Sequence, residues 1–84
     1  MTRLLSRPKP ITVEGDDLDC PRSFYFLGQK HPIAECIDDW TVEESEWHIP
    51  ICRDYFEVYT TTGYWAEIFR DALTNQWYVE RLHA

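Results

Sequence analysis

The residues best suited to chemistry are three histidines and three cysteines, and their spacing argues against a metal site. They are His31, His48, His83, Cys20, Cys36 and Cys52. The histidines are far apart and none shares a tight ligand spacing with a cysteine, whereas zinc sites usually contain closer ligand pairs. Residues 35–46 are rich in carboxylates but contain no glycine, which a calcium loop needs near its centre. We therefore expect no metal and no cofactor.

Catalytic patterns are missing as well. Ser23 and Ser45 do not lie in a G-x-S-x-G elbow. Asp38 and Asp39 are adjacent, so on a strand they point to opposite faces and cannot share one site. A phosphate-binding loop needs clustered glycines, but the three glycines, at 15, 28 and 63, are scattered where hairpin turns are expected. The sequence predicts a protein that is not an enzyme and has no small-molecule substrate.

Length and composition indicate one small domain with a real core. A chain of 84 residues buries only about 60–65% of the surface that it exposes when unfolded. Hydrophobic residues make up 44% and aromatic residues 15%, which is too apolar for a disordered chain. An odd number of cysteines without a Cys-x-x-Cys pair is unlike a secreted disulfide scaffold. We expect a soluble, cytoplasmic protein with reduced thiols and no membrane association.

Charge is distributed unevenly. The first ten residues are basic, and two acidic clusters follow. The first cluster is Glu14, Asp16, Asp17 and Asp19, and the second is Glu35, Asp38, Asp39, Glu43, Glu44 and Glu46. A net charge of −7 repels a phosphate backbone, so generic nucleic-acid binding is disfavoured. The acidic clusters are interpreted either as a solvated face or as a docking surface for a basic partner.

The first half of the chain predicts a flexible basic arm over residues 1–9 and a β domain over residues 10–84. Pro8 and Pro10 exclude a helix through the arm, and "ITVE" reads as the first strand. "RSFYFL" is the second strand, with Phe24 and Phe26 on one face and a two-residue turn at Gly28–Gln29. Residues 32–40 fit a returning strand, with a short helix as the alternative, and "SEWHIP" fits a short extended piece.

The C-terminal third alternates clearly. "DYFEVYT" and "YWAEIFRD" form two strands joined by a turn at Thr62–Gly63. The loop "ALTN" then leads to "QWYVERL", with Asn75 in the left-handed conformation and the Asp71 side chain capping the turn. Arg70 or Arg81 is expected to pair across strands with Glu67 or Glu80. Together the segments predict an antiparallel meander of five or six strands, forming a twisted sheet or open barrel.

Aromatic residues interleaved with arginines suggest a surface. Such groups could stack on single-stranded nucleic acid, or the rings could be core and the arginines paired. Because several strands carry large side chains on both faces, some rings must be exposed, and an exposed aromatic patch flanked by charge favours a protein interface. The candidate interface residues are Tyr55, Trp65, Arg70, Trp77, Tyr78, Arg81, Asp38, Asp39, Glu43 and Glu44.

The order of motifs resembles a small bacterial domain family of unknown function. The segments that carry the resemblance are "RPKPITV", "CPRSFYFLGQKHPIAECIDDW" and "EWHIPICRDYFEVYTTTGYWAEIFRDALTNQWYVERL". They also resemble C-terminal segments of Y-family polymerase-like mutagenesis proteins. That resemblance implies an accessory module in DNA repair or damage tolerance. Asn75 replaces the family's usual loop glycine, and the acidic first half departs from an Arg-richer pattern, which argues against direct DNA binding.

The sequence therefore predicts a non-catalytic protein–protein interaction or accessory module with an unidentified protein partner. One alternative is a small β-barrel that binds single-stranded nucleic acid through Tyr55, Trp65 and Trp77. Another is a structural subunit of a larger assembly.

Overall fold

The computed structural model describes residues 2–15 and 20–83, and within these ranges the protein is built from six β-strands without a helix. The strands are β1 (Thr2–Glu14), β2 (Ser23–Phe26), β3 (Gln29–Glu46), β4 (Ile49–Thr60), β5 (Trp65–Asp71) and β6 (Gln76–His83). Part of the first acidic cluster, residues 16–19, lies outside the described residues.

Each strand pairs antiparallel with the next, and β6 pairs with β1, so that the sheet closes into a barrel. The predicted all-β meander is thereby confirmed. The helix alternative for residues 32–40 is wrong, because this segment belongs to β3. Its Pro32 lies opposite Ser23, and its Trp40 lies opposite Tyr55.

The N-terminal residues that were predicted as a flexible arm are part of the barrel. β1 begins at Thr2, and residues 2–4 pair with the last residues of β6. The register shifts between Leu4 and Lys9, and pairing resumes from Lys9 to Ile11. Pro8 lies in this irregular stretch, where its missing N–H costs no ladder hydrogen bond. The prolines therefore exclude a helix, as expected, without ending the strand.

A single hydrophobic core fills the barrel. Its most deeply buried members come from alternate positions of different strands, as the period of two requires. The core residues are Ile11, Phe24, Phe56, Val58, Ala66, Ile68, Trp77 and Val79. Phe24 is fully buried and Phe26 packs against the same cluster, which confirms that the two share the inner face of β2.

Two hairpin turns differ from the sequence prediction by one or two residues. The β2–β3 turn is Leu27–Gly28 rather than Gly28–Gln29, since Phe26 pairs directly with Gln29. Both turn residues have positive φ, 52° and 75°, as a type I′ turn requires. The β4–β5 connection spans residues 61–64 rather than a two-residue turn, and within it Gly63 has a φ of 92°.

The β5–β6 turn forms as the sequence predicts. The Asp71 carboxylate accepts a hydrogen bond from the Leu73 N–H at 2.9 Å, and the Asp71 carbonyl accepts one from the Asn75 N–H at 2.7 Å. Asn75 has a φ of 60°, so it adopts the left-handed conformation that Asn tolerates. The side chain of Asp71 thus fixes the start of the turn.

Replacing Asp71 with Ala is expected to destabilise the domain by about 1 kcal/mol, because the Leu73 N–H loses its side-chain acceptor. For a domain of this size such a loss lowers the melting temperature by about 4–8 °C. Thermal unfolding followed by circular dichroism measures it. Asp71→Asn retains an acceptor oxygen and serves as the control. An unchanged melting temperature in Asp71→Ala would contradict the capping role.

Candidate functional site

A ladder of four aromatic rings crosses the outer face of the barrel. Trp40, Tyr55, Phe69 and Tyr78 lie directly opposite one another on β3, β4, β5 and β6. Neighbouring ring centroids are 5.3, 5.0 and 5.1 Å apart, and Trp40 stacks parallel on Tyr55. Aromatic pairs at this separation stabilise a sheet beyond their buried area.

The centre of the ladder is closed to solvent. Phe69 is only 2% exposed, and the Arg53 guanidinium covers it at 4.6 Å from the ring centroid. Tyr55 is 7% exposed, and its hydroxyl lies between Arg53 and Glu80, donating to the Glu80 carboxylate at 3.2 Å. Burial raises the pKa of Tyr55. Tyr55, one of the candidate interface residues, is therefore not exposed, because its neighbours cover both its ring and its hydroxyl.

Trp77 is also not a surface residue. It is 6% exposed and packs inside the barrel, with its ring 5.6 Å from that of Phe56. Its position on β6 is one residue before the ladder member Tyr78, so the alternation of the strand turns it inwards. A nucleic-acid base cannot stack on either Tyr55 or Trp77, so two of the three rings named for the nucleic-acid alternative are buried.

Arg70 completes a polar network on the inner side of the sheet. Its guanidinium donates to the Asp54 carboxylate at 2.6 Å, and the Thr41 hydroxyl donates to the other oxygen at 3.0 Å. The hydrogen bond from Arg70 lowers the pKa of Asp54. Arg70 is directly opposite Asp54, and Arg53 is directly opposite Asp71. Arg70 therefore pairs with Asp54 rather than with Glu67 or Glu80.

Trp65 and Arg81 belong to a charged area of the outer wall. The Trp65 indole N–H donates to the Glu57 carboxylate at 2.7 Å, and Arg81 pairs with Glu67 at 3.7 Å. Burial raises the pKa of Glu67, although the Arg81 charge opposes the shift. The predicted cross-strand pairing of Arg81 with Glu67 is confirmed. These side chains hold neighbouring strands together and leave Arg81 half-exposed.

A two-stranded hairpin projects from one end of the barrel. β5 ends at Asp71, opposite Arg53, while β3 and β4 continue to pair from Glu43↔Cys52 to Glu46↔Ile49. The Ala72 N–H donates to the Cys52 carbonyl at 2.9 Å and marks the base of this extension. We call residues 43–52 the projecting hairpin. "SEWHIP", expected as a separate extended piece, is its tip.

The tip exposes a large apolar surface. Trp47 is 87% exposed and Ile49 is 64% exposed. Trp47 and His48 form a two-residue turn with φ values of 53° and 65°, so both adopt the left-handed conformation without glycine. For a bulky residue this conformation is unfavourable, by about 1–2 kcal/mol. Bulk at such a position is a feature typical of functional sites.

The strand that leads to the apolar tip is rich in carboxylates. Of the four predicted acidic interface residues, Glu43 and Glu44 lie on the projecting hairpin, whereas Asp38 and Asp39 lie on the barrel part of β3, opposite Glu57 and Phe56. All four are exposed. Over residues 34–52 the sequence has six Asp and Glu residues and no Lys or Arg. The projecting hairpin and the segment of β3 that leads to it are therefore strongly negative.

The described histidines and cysteines do not form a metal-ligand cluster. Within residues 2–15 and 20–83, no three His, Cys, Asp or Glu side chains are placed to hold a metal ion. Cys20, Cys36 and Cys52 are free thiols, and burial together with the neighbouring Cys36 raises the pKa of Cys20 to about 12. In the same part of the chain, no helix has the length and apolarity to cross a membrane.

His31 is a core residue. It is buried between the rings of Phe24 and Tyr64, both 5.2 Å away, and its Nδ1 is hydrogen-bonded to the Thr62 hydroxyl at 2.7 Å. Burial lowers the pKa of His31 from its ordinary value of 6.5. The neutral imidazole is thus the form that stabilises the fold.

Stability should fall on mild acidification. Because its pKa is lowered in the fold, His31 binds a proton more readily in the unfolded chain. Its contribution is therefore complete above the ordinary pKa of 6.5 and is lost as the pH falls below that value. Urea unfolding between pH 7.5 and 5.5 measures how the free energy of unfolding changes with pH. His31→Gln is expected to reduce this pH dependence, and an equal dependence in the two proteins would contradict this assignment.

The structure brings together only part of the predicted interface. Asp38, Asp39, Glu43 and Glu44 follow one another along β3 on alternating faces. Tyr78, Trp65 and Arg81 lie on the barrel wall, and Tyr55, Trp77 and Arg70 are structural. Trp47 and Ile49 are not among the interface residues predicted from the sequence. Their exposure could have been predicted from "EESEWHIP", where two bulky apolar residues follow carboxylates and belong to no predicted core face.

Comparison of the chain with protein-family models, with curated proteins and with solved structures finds no match.

Proposed function

We propose that this protein is a non-catalytic binding module whose projecting hairpin docks onto a basic surface of a protein partner. The observation that carries the proposal is that an exposed tryptophan, Trp47, and exposed carboxylates occur on the same hairpin. Tryptophan is one of the residues enriched at the energetic centres of protein interfaces. An apolar anchor with charged residues on the same hairpin fits an interface centre with a polar rim.

Charge complementarity defines the partner. Six carboxylates over residues 34–52, without a Lys or Arg, produce a negative field that attracts Lys- or Arg-rich surfaces and repels nucleic acid. The partner is therefore a protein with basic side chains around an apolar pocket that accepts the indole. The resemblance to segments of mutagenesis proteins adds the expectation that this partner acts in DNA-damage tolerance.

The barrel wall and the aromatic ladder are weaker candidates for the binding surface, because their side chains already contact one another. On the barrel wall, Trp65 and Arg81 are engaged with Glu57 and Glu67. The ladder rings stack on one another. The hairpin, in contrast, presents two largely exposed apolar side chains, Trp47 and Ile49.

The proposal is tested by capturing partners with the tagged protein from its native cells, followed by mass spectrometry and by salt titration. A stoichiometric partner should be lost in the double variant Glu43→Gln, Glu44→Gln, because both rim charges are removed. Capture should also weaken as the salt concentration rises.

A second double variant controls for net charge. Gln29→Lys with Thr61→Lys changes the charge by the same two units, at exposed positions near the opposite end of β3. This variant is expected to capture the partner as the wild type does. Equal losses in both variants would point to net charge rather than to the hairpin. Unchanged capture in the glutamine variant would contradict the proposed function.

A further inference from the structure

The strand β3 has one long edge without a partner strand among the described residues. β2 pairs with β3 only as far as Pro32, while β4 covers the other edge of β3 up to Glu46. We call residues 34–46 the free edge. Long open edges are rare in soluble proteins, because their unpaired N–H and C=O groups are templates for another strand.

Hydrogen-bond alternation identifies the main-chain groups that face outwards. The turn Trp47–His48 has two residues, so Glu46 and Ile49 form a hydrogen-bonded pair. Hydrogen-bonded and non-hydrogen-bonded pairs alternate along the hairpin, so Ser45, the neighbour of Glu46, points its N–H and C=O away from β4. The same holds for every second residue before Ser45, which are Glu43 and Thr41.

Two hydrogen bonds agree with this assignment. The carbonyl of Cys52, the partner of Glu43, accepts from the Ala72 N–H on the far side of β4 and so does not point to β3. Asp39 is the next residue whose N–H points away from β4, and this N–H donates to the Asp38 carboxylate at 2.8 Å rather than to a neighbouring strand. Thr41, Glu43 and Ser45 have no such cover among the described residues.

A second copy of this chain is a poor occupant of the free edge. Residues 34–46 carry Glu35, Asp38, Asp39, Glu43, Glu44 and Glu46 and no Lys or Arg. Pairing two such edges would place carboxylates opposite or diagonal to carboxylates, and like charges across strands are destabilising. The same charges would favour Lys or Arg on an added strand, because opposite charges across strands are stabilising.

We infer that the free edge of β3 binds an extended basic peptide segment of the partner, which adds a strand to the sheet beside Thr41, Glu43 and Ser45. Strand addition of this kind obtains affinity from main-chain hydrogen bonds and specificity from alternate side chains. Because Glu43 and Glu44 point to opposite faces of β3, a Lys or Arg on either face of the added strand would lie near a carboxylate. The inference rests on the proposed function and specifies how the partner is bound.

The test uses a nine-residue peptide of alternating lysine and valine as the probe and the full chain as the receptor. Backbone amide hydrogen exchange, followed by NMR at low salt, should slow at least tenfold at Thr41, Glu43 and Ser45. The same peptide with N-methyl groups on alternate residues keeps its charge but lacks the ladder donors. It should give no protection, and equal protection by both peptides would overturn strand addition. So would failure of the unmethylated peptide to protect these amides at millimolar concentration.

A protein variant examines the same contact. Ser45 lies opposite Pro50 at a position where β4 does not need its N–H, so Ser45→Pro should preserve the hairpin while blocking the edge. We expect peptide affinity to fall at least tenfold in Ser45→Pro and to change less than twofold in Ser45→Ala.

The outcomes separate this inference from the proposed function. If capture of the native partner requires Glu43 and Glu44 but is unaffected by Ser45→Pro, the binding function stands and strand addition is wrong. If wild-type protein forms a dimer that Ser45→Pro abolishes, the occupant is a second copy and the inference is overturned.

Discussion

Trp47→Asn is expected to reduce partner capture about thirtyfold or more while raising the melting temperature. Removing a tryptophan anchor from the centre of an interface costs about 2 kcal/mol or more of binding free energy. The free energy of unfolding should rise, because Trp47 has an unfavourable φ of 53° and, at 87% exposure, contributes little to packing. Asn is preferred at this position of a type I′ turn. Relief of about 1 kcal/mol corresponds to an increase of about 4–8 °C.

Leu27→Asn is the matched control for that variant. Leu27 is exposed and has a φ of 52° in the other type I′ turn, at the opposite end of β3. Its replacement should raise the melting temperature to a similar extent and leave capture unchanged. Capture that survives Trp47→Asn would contradict the role of the tip. A stabilised variant that loses capture excludes unfolding as the cause.

Phe69→Ala is expected to destabilise the domain by about 3–5 kcal/mol, because it removes a buried ring and leaves a cavity in the centre of the ladder. Phe69 is 2% exposed, and Tyr55, Tyr78 and Arg53 all pack on it. Domains of this size have about 4–13 kcal/mol of stability in total, so much of the fold's reserve would be lost. Urea unfolding measures the change.

A loss of about 3–5 kcal/mol in Phe69→Ala would identify the aromatic ladder as a structural element. Leu73→Ala in the exposed β5–β6 turn serves as the control and should stay within about 0.5 kcal/mol of the wild type. A loss below about 1 kcal/mol in Phe69→Ala would mean that the ladder does not support the barrel. In that case its rings would have to be reconsidered as a binding surface.

Local sequence patterns were enough to predict most of the strands. Alternation places Phe56 and Val58 on one face of β4, and they are buried in the core. Asp71 and Asn75 specify their turn through a side-chain acceptor and a tolerated positive φ, which are both local properties. Closure of the barrel by β1 and β6 was not predicted, because pairing between the two ends of the chain leaves no local pattern.

The candidate site was less predictable for two physical reasons. An aromatic residue on an outer face normally reads as exposed, but Tyr55 is covered by Trp40, Arg53 and Glu80, which come from other strands or other positions. The hairpin tip was missed because Trp47 and His48 are poor turn residues, and turn prediction depends on Gly, Asn and Asp. The local rule thus fails at the feature to which we assign binding.

The most direct test of the central claim is amide hydrogen exchange of the protein alone and in complex with its captured partner. We predict that protection on binding is concentrated in residues 38–52, covering the free edge, the acidic side chains and the apolar tip. Protection concentrated instead on the barrel wall around Tyr59, Trp65, Arg81 and His83, with the projecting hairpin unchanged, would contradict the account.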